Sequence, residues 1–395
     1  MKQRIIIGGV ALILLSLGGL RVANEAFLPS RFSPTGVYDS PNFHDTLPFH
    51  GYIDTMRTLL TTIHPHLPDS VIHDIAPFEL RPETPTGRGI LLVHGLTDTP
   101  FNLADIAQEA AQRGYHVRAI LLPGHGTTPG DLRYATKEMW RAALSWAITS
   151  FQEEVDTLYG VGYSLGGALL LDAAHSHTLD GLGLISPAIS LPSISMLTDL
   201  LQYITPWFRI RADENPYKYE SMSMASMAQT RQVARRVQRK TTSPPHPETP
   251  LFITAVAEDA TLGDISAVVT LLETWKPAPA RGRIYTTSPK ENTSQISYHS
   301  ASRPEQNIFA FSHLTLPYSP HNRYYSTEGS YRFCLHYEEG STEYLRCRKD
   351  DVIYWGEMGL QDSLIFARLA HNPDFDAMTK DLFSFFETTR SESDP

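Results

Sequence analysis

The run Gly160-Val161-Gly162-Tyr163-Ser164-Leu165-Gly166-Gly167 sets one serine midway between Gly162 and Gly166. A serine hydroxyl is a poor nucleophile at neutral pH. It attacks carbonyl carbon when an imidazole takes its proton and a carboxylate fixes that imidazole in one tautomer. Both partners are available downstream. The apolar run Leu251 to Val256 leads into Ala257-Glu258-Asp259-Ala260-Thr261, and the run Ile308 to Phe311 leads into Ser312-His313. Serine first, then acid, then histidine, each just past a strand, is a workable order for acyl transfer. At this level Glu258 and Asp264 compete with Asp259, and His299, His321 and His336 compete with His313. The alternative for Ser164 is a plain helix N-cap. His94 and His125 sit in glycine turns and read as structural.

Such chemistry needs elements that hold three distant groups together. A strand-like stretch, Val155 to Val161, precedes Ser164, and a helix-like stretch, Gly167 to Ala174, follows it. A serine on so tight a turn has a strained backbone, and its neighbours must be almost without side chains. The turn should push the hydroxyl into solvent, with the free N–H groups of the helix start aimed the same way. Around it strands and helices alternate. Ile90 to Val93, His116 to Leu121, Leu182 to Ile185, Leu251 to Val256, Ile284 to Thr287 and Ile308 to Phe311 read as strands. Phe101 to Arg113, Lys137 to Phe151, Ile265 to Trp275 and a stripe through Phe375, Met378, Leu382, Phe385 and Phe386 read as helices. This alternation predicts an α/β fold with a mainly parallel sheet covered on both faces. Sites in such sheets lie at the carboxyl ends of the strands.

Two stretches interrupt the alternation. Residues 187–247 hold an amphipathic piece (Leu197, Leu200, Leu201, Ile204, Phe208) and a methionine-bearing piece (Met222, Met224, Met227), and read as an inserted helical cap. Packing is the simplest role for these residues, and an acyl-chain pocket the sharper one. Arg231, Arg235 and Arg239 share one helical face, read as solvated, with anionic headgroups as the alternative partner. Residues 321–356 read as an extra β-hairpin turning at Glu338 to Ser341. Its cross-strand positions bring Cys334 and Cys347 within disulfide range, the alternative being two free thiols.

With 395 residues and 42% hydrophobic content, the chain can bury a large core. A net charge of −10 gives no indication of a nucleic-acid partner. Lys2 and Arg4 precede an uncharged run, Ile5 to Leu20, closed by Arg21. As a helix it would be roughly 24 Å long, between a full span and a signal-peptide core. Residues 1–23 are therefore expected to be a membrane anchor or signal segment, with the amino end in the cytoplasm. Residues 24–78 form a linker or flap, 79–390 the main domain, and 391–395 a tail.

The segments LLVHGLTDTPFN, LLPGHGTTPGDL, GVGYSLGG, AEDAT and SHLTL resemble those of the α/β-hydrolase superfamily. Within it, the chain is similar to bacterial carboxylesterases and monoacylglycerol-lipase-like serine hydrolases. The resemblance covers about Gly89 to Leu316 and the last helix. It implies Ser164 as nucleophile, Asp259 as acid and His313 as base. It also implies an oxyanion hole from the backbone N–H groups of Leu96 and Leu165. The chain departs from the pattern in two places, the long separation of Asp259 from His313, held in Lys276 to Asn307, and the hairpin after His313. The resulting expectation is a cofactor- and metal-independent serine esterase acting on lipid-like or medium-chain acyl esters. Amidase, peptidase or thioesterase activity would use the same triad. A membrane-tethered binding protein on a hydrolase scaffold is the alternative of another class. The expected location is the inner membrane with the domain in the periplasm, or export after signal cleavage. Nothing in the sequence fixes the oligomeric state.

Overall fold

A computed structural model describes residues 28–38, 47–192, 198–241, 248–349, 353–357 and 364–391. The expected anchor, residues 1–23, lies outside the described residues. Among the described residues no helix is long and apolar enough to cross a membrane. In chain order the first elements are α1 (Phe49–Ile63), α2 (Asp69–Ile75), β1 (Phe78–Leu80), β2 (Arg88–Val93), α3 (Ala104–Gln112) and β3 (His116–Ile120). Next come α4 (Pro129–Tyr134), α5 (Lys137–Gln152), β4 (Thr157–Tyr163), α6 (Leu165–Ala173) and β5 (Gly181–Ile185). The 187–247 insertion carries α7 (Thr198–Leu201), β6 (Trp207–Arg209), β7 (Met222–Ser223) and α8 (Met224–Thr241). The chain then continues through β8 (Leu251–Val256), α9 (Ser266–Thr274), β9 (Ala280–Thr286) and β10 (Ile296–Ser300). It ends in α10 (Thr342–Lys349), β11 (Tyr354–Gly356), β12 (Phe366–Arg368) and α11 (Phe375–Ser391).

The main sheet runs β1-β3-β2-β4-β5-β8-β9-β10. Only β1, at one edge, is antiparallel. Side chains alternate along a strand, so a strand covered on both faces feeds two cores at once. In β2, Ile90 and Leu92 enter one core with α3 and α11, while Leu91 and Val93 enter the other with α5 and α6. Within the stretch read as linker or flap, α1 buries Phe49, Tyr52, Met56 and Leu60 in that second core.

The structure departs from expectation in several places. The segment holding the cysteines is not a β-hairpin: Cys347 lies on α10, and Cys334 precedes it in a turn. The physical reason is local. The Ser341 hydroxyl accepts the Tyr344 amide at 3.1 Å, which caps a helix where the second strand was expected. The disulfide is formed nonetheless, with Cα atoms 6.0 Å apart. Ile308 to Phe311 is not a strand of the main sheet; Ile308 makes only isolated bridges to Arg303 and Trp355. The sheet is instead extended by β10, which fits in the long stretch between β9 and His313. Finally, Arg231 is not solvated. It is 5% exposed and bonds Asp199 of α7, as does Arg235 at 2.9 Å.

Candidate active site

The turn between β4 and α6 is closed by backbone contact. A Cβ added at Gly166 would lie 2.0 Å from the Val93 carbonyl oxygen, and one at Gly162 would lie 2.6 Å from the Gly166 carbonyl carbon. No side chain fits at either position. Ser164, between them, takes φ +52° and ψ −113°, a conformation L-residues rarely adopt. It is locked there because its amide donates to Ile185 O at 2.9 Å and its carbonyl accepts from Ala168 and Ala188.

Asp259 follows β8. Its Oδ1 accepts the amides of Thr261 at 2.8 Å and Leu262 at 3.0 Å, which leaves Oδ2 for His313 Nδ1 at 2.6 Å. With Nδ1 donating to the carboxylate, His313 Nε2 is left as an acceptor, 3.1 Å from Ser164 Oγ. Burial alone would raise the Asp259 carboxyl. The His313 charge and hydrogen bond, with the two amides, outweigh it and hold the group below its usual range. The structure therefore brings Ser164, Asp259 and His313 into one hydrogen-bonded line.

The rivals are engaged elsewhere. Glu258 accepts from the Thr286 hydroxyl at 2.7 Å and the Thr287 amide at 3.1 Å, and Asp264 accepts the Ser266 amide at 2.8 Å. His299 bonds Ser297 at 3.0 Å, His336 stacks on Phe366, and His321 is exposed. His94 and His125 are buried. His94 accepts the Leu122 amide through Nε2 at 3.0 Å and donates from Nδ1 to Gly95 O, so it pins two turns together.

The two amides singled out by resemblance sit at different kinds of place. Leu165 is the first residue of α6, where N–H groups have no partner within the helix. Leu96 lies in the 94–99 turn, next to Thr97 at φ +69°. Among the described residues neither amide donates a hydrogen bond to a backbone carbonyl.

Ser164 is 8% exposed, rather than pushed out into solvent. The return segment of the 187–247 insertion docks on the neighbouring turn. Tyr219 N donates to Thr97 O at 2.9 Å, Thr99 Oγ1 donates to Tyr217 O at 2.9 Å, and Lys218 Nζ pairs with the buried Asp98 at 2.7 Å. Phe101 stacks on Tyr217 at 3.9 Å beside Tyr318 and Tyr325. Sequence reasoning missed this aromatic group, because the tyrosines that meet Phe101 come from segments without periodicity. It also missed Tyr163, whose hydroxyl donates to His313 O at 3.0 Å, and Glu357, whose carboxylate accepts the His313 amide at 3.2 Å.

A profile of the alpha/beta hydrolase family matches residues 90–322. The chain belongs to that family. Its central sheet, mostly parallel with helices on both faces, is that of an α/β hydrolase. A thermostable monoacylglycerol lipase of Bacillus sp. strain H-257 is 34% identical over 108 residues, covering 27% of this chain and 43% of the lipase. The match thus spans less than half of that relative. Among solved structures, one from work on the metagenome-derived lipolytic enzymes LipS and LipT aligns at TM-score 0.46 and 22% identity, over 56% of this chain and 88% of that one. The monoacylglycerol lipase of Paleococcus ferrophilus aligns at TM-score 0.45 and 19% identity, over 57% of this hydrolase and 91% of that lipase.

Glu79, His116 and Glu154 form the one cluster of metal-type donors among the described residues. A guanidinium already fills it. Arg118 Nε bonds Glu79 at 2.8 Å and Nη2 bonds Glu154 at 2.6 Å.

Proposed function

We propose that this α/β hydrolase is a serine carboxylesterase working through an acyl-enzyme. The observation that carries the reading is the line Ser164 Oγ, His313 Nε2, His313 Nδ1, Asp259 Oδ2, at 3.1 and 2.6 Å. His313 takes the Ser164 proton as Oγ bonds to the ester carbonyl carbon. The carbonyl oxygen, now negative, is held by the Leu96 and Leu165 amides. His313 then gives its proton to the leaving alkoxide, and the C–O bond of the ester breaks. Water repeats the sequence, losing a proton to His313 and releasing the acid and the free serine. Asp259, ionised through the reaction, stabilises the imidazolium formed in each half.

Lipid-like or medium-chain acyl esters are the proposed substrates. The monoacylglycerol lipase relative supports this class, as do the exposed Leu200, Tyr203, Ile204 and Phe208 of the 187–247 segment. The test is labelling by a fluorophosphonate probe, together with rates on matched ester, amide and thioester series of graded chain length. Labelling is expected in the wild type and absent in Ser164→Ala. Ester hydrolysis should fall by about 10⁴-fold or more in that variant and in His313→Ala. Hydrolysis retained by Ser164→Ala, or a wild type that takes no label, would overturn the reading.

A further inference from the structure

His313 stands on a loop, not on a regular element, and its ring must hold two hydrogen bonds at once. The backbone behind it is clamped. Ser312 Oγ and Thr315 Oγ1 both donate to Leu369 O, at 2.7 and 2.9 Å. Glu357, just past β11 and 2% exposed, accepts the His313 amide through Oε2. Arg368, the last residue of β12, faces the same carboxylate. Its Nη2 donates to Glu357 Oε2 at 3.1 Å, and its Nε lies 2.9 Å from Oε1. That Nη2 also donates to Thr261 Oγ1 at 3.0 Å, and the Thr261 amide holds Asp259 Oδ1. The contacts close a ring: His313, Glu357, Arg368, Thr261, Asp259 and back to His313.

We propose that Glu357 and Arg368 are positioning residues that fix His313 relative to Asp259 and Ser164. The inference rests on the serine-hydrolase reading above. A buried ion pair is a poor source of net stability, because desolvation offsets most of its attraction. What it supplies is directional contact that an apolar pair cannot make: one carboxylate oxygen for the histidine backbone, and one guanidinium reaching the acid loop. An error of about 1 Å in a general base costs on the order of 100-fold in rate, so the ring acts where geometry matters most. It also gives the 321–356 insertion a role. Arg368 N donates to Phe333 O at 2.9 Å, and Phe333 precedes the disulfide residue Cys334, so the insertion and its cross-link brace the strand that carries Arg368.

Besides this pair, the described residues place Asp259 at Nδ1 of the imidazole and the ring centre of Tyr163 5.0 Å away, while Arg209 and His336 interact with Arg368. Asp98, next to Tyr163, is neutralised by Lys218. Removing one charge of the Glu357–Arg368 pair therefore changes the net charge near the imidazole by one unit.

Three variants test the proposal: Glu357→Gln, Arg368→Met and the double variant. kcat, KM and the pH profile are read on a medium-chain p-nitrophenyl ester, and labelling rate on a fluorophosphonate. Each single variant should lose about tenfold in kcat with KM within about threefold. The acid limb of kcat/KM should move to higher pH in Arg368→Met and to lower pH in Glu357→Gln. The double variant keeps an oxygen facing the His313 amide and removes both charges of the pair. It still lacks the guanidinium bridge to Thr261, so it should keep the kcat loss of Arg368→Met, about tenfold, while its acid limb returns to that of wild type. If a single variant fails to fold, the double variant decides alone. Folded single variants with wild-type kcat and an unmoved acid limb would overturn the proposal, as would a folded double variant with wild-type kcat. A wild type that takes no label would overturn the serine-hydrolase reading beneath it, a separate outcome.

Discussion

At the residue scale, the strictest demand in the site falls on Gly166. The atoms an added Cβ would meet are Val93 O at 2.0 Å, Val93 C at 2.6 Å and His94 O at 2.7 Å, all backbone of β2 and the turn after it. None can rotate away, so Gly166→Ala must spread the junction of β2 and α6. We predict a loss of about 3 kcal/mol in urea unfolding, with slower fluorophosphonate labelling of the folded fraction. Gly51→Ala is the matched control. It lies within α1, its nearest contacts are 3.7 Å, and it should be neutral or slightly stabilising. Equal midpoints for the two variants would refute the steric account. What was readable beforehand is the part written in local pattern. Gly162, Ser164 and Gly166 lie within one five-residue turn between a strand and a helix, and Asp259 comes just past a strand, so local pattern reached them, although the backbone that confines Gly166 comes from β2. Glu357 and Arg368 touch the site only through loops that return after 44 and 107 residues. No periodicity marks such contacts, and composition gave no hint of them.

At the element scale, the edge of the sheet shows how a short strand can matter without announcing itself. β1 has three residues, too few for an alternation to register, and only pairing makes it visible: Glu79 lies opposite Arg118 on β3. Arg118 is 2% exposed and lies between the rings of Phe49 and Phe151, 4.6 and 4.4 Å from their centres. It therefore needs a carboxylate nearby. Partial burial opposes the charge on Glu79, but hydrogen bonds from His116 and Arg118 and the Arg118 charge overcome it, so its carboxyl falls from 4.5 to about 2. The sign follows directly. A carboxyl depressed in the folded state adds stability above pH 4.5, and that stability is lost as pH falls toward 2. Urea midpoints measured against pH should show wild type above Glu79→Gln near neutrality, with the gap closing across that window. A gap of constant size down to pH 2 would mean that the ionised carboxylate contributes nothing there. The misread hairpin has a similar origin. Phe333 to Tyr337 has strand-forming residues, but among the described residues its pairing is the single bridge from Phe333 to Arg368, and the Ser341 cap settles the rest as helix.

At the scale of the whole molecule, the segment 28–38 fastens the 187–247 insertion to the body. On one side Arg31 donates to Ala212 O at 2.8 Å and pairs with Asp213 at 3.4 Å, while the Phe32 ring meets Trp207 edge-on at 4.6 Å. On the other side the Thr35 amide and hydroxyl both reach the buried Asp131 of α4 at 2.7 Å. A Cβ at Gly130 would strike Ser33 O at 2.3 Å, so the strap lies flat on α4. Proline-rich composition reads as a linker, and only the partners, all distant in sequence, show that this part is packed. The insertion has a second attachment at the 94–99 turn, through Tyr217, Lys218 and Tyr219. The contribution of the strap can be tested by itself. Phe32 is 4% exposed, and truncating a buried phenylalanine costs about 3 kcal/mol or more. If the strap holds the insertion, Phe32→Ala draws that cost mainly from local opening. Amide exchange across Trp207 to Ser223 should then accelerate at least tenfold, by about 1.4 kcal/mol or more of opening free energy, while exchange in β2, β4 and β5 stays at wild-type rates. Uniform acceleration of all these strands would place Phe32 in the global core. Unchanged exchange in β6 and β7 would mean that the other contacts of the insertion, among them the 94–99 turn and the pairing of Arg236 and Lys240 with Asp172, hold it without the strap, which would then be a passenger on the surface it crosses.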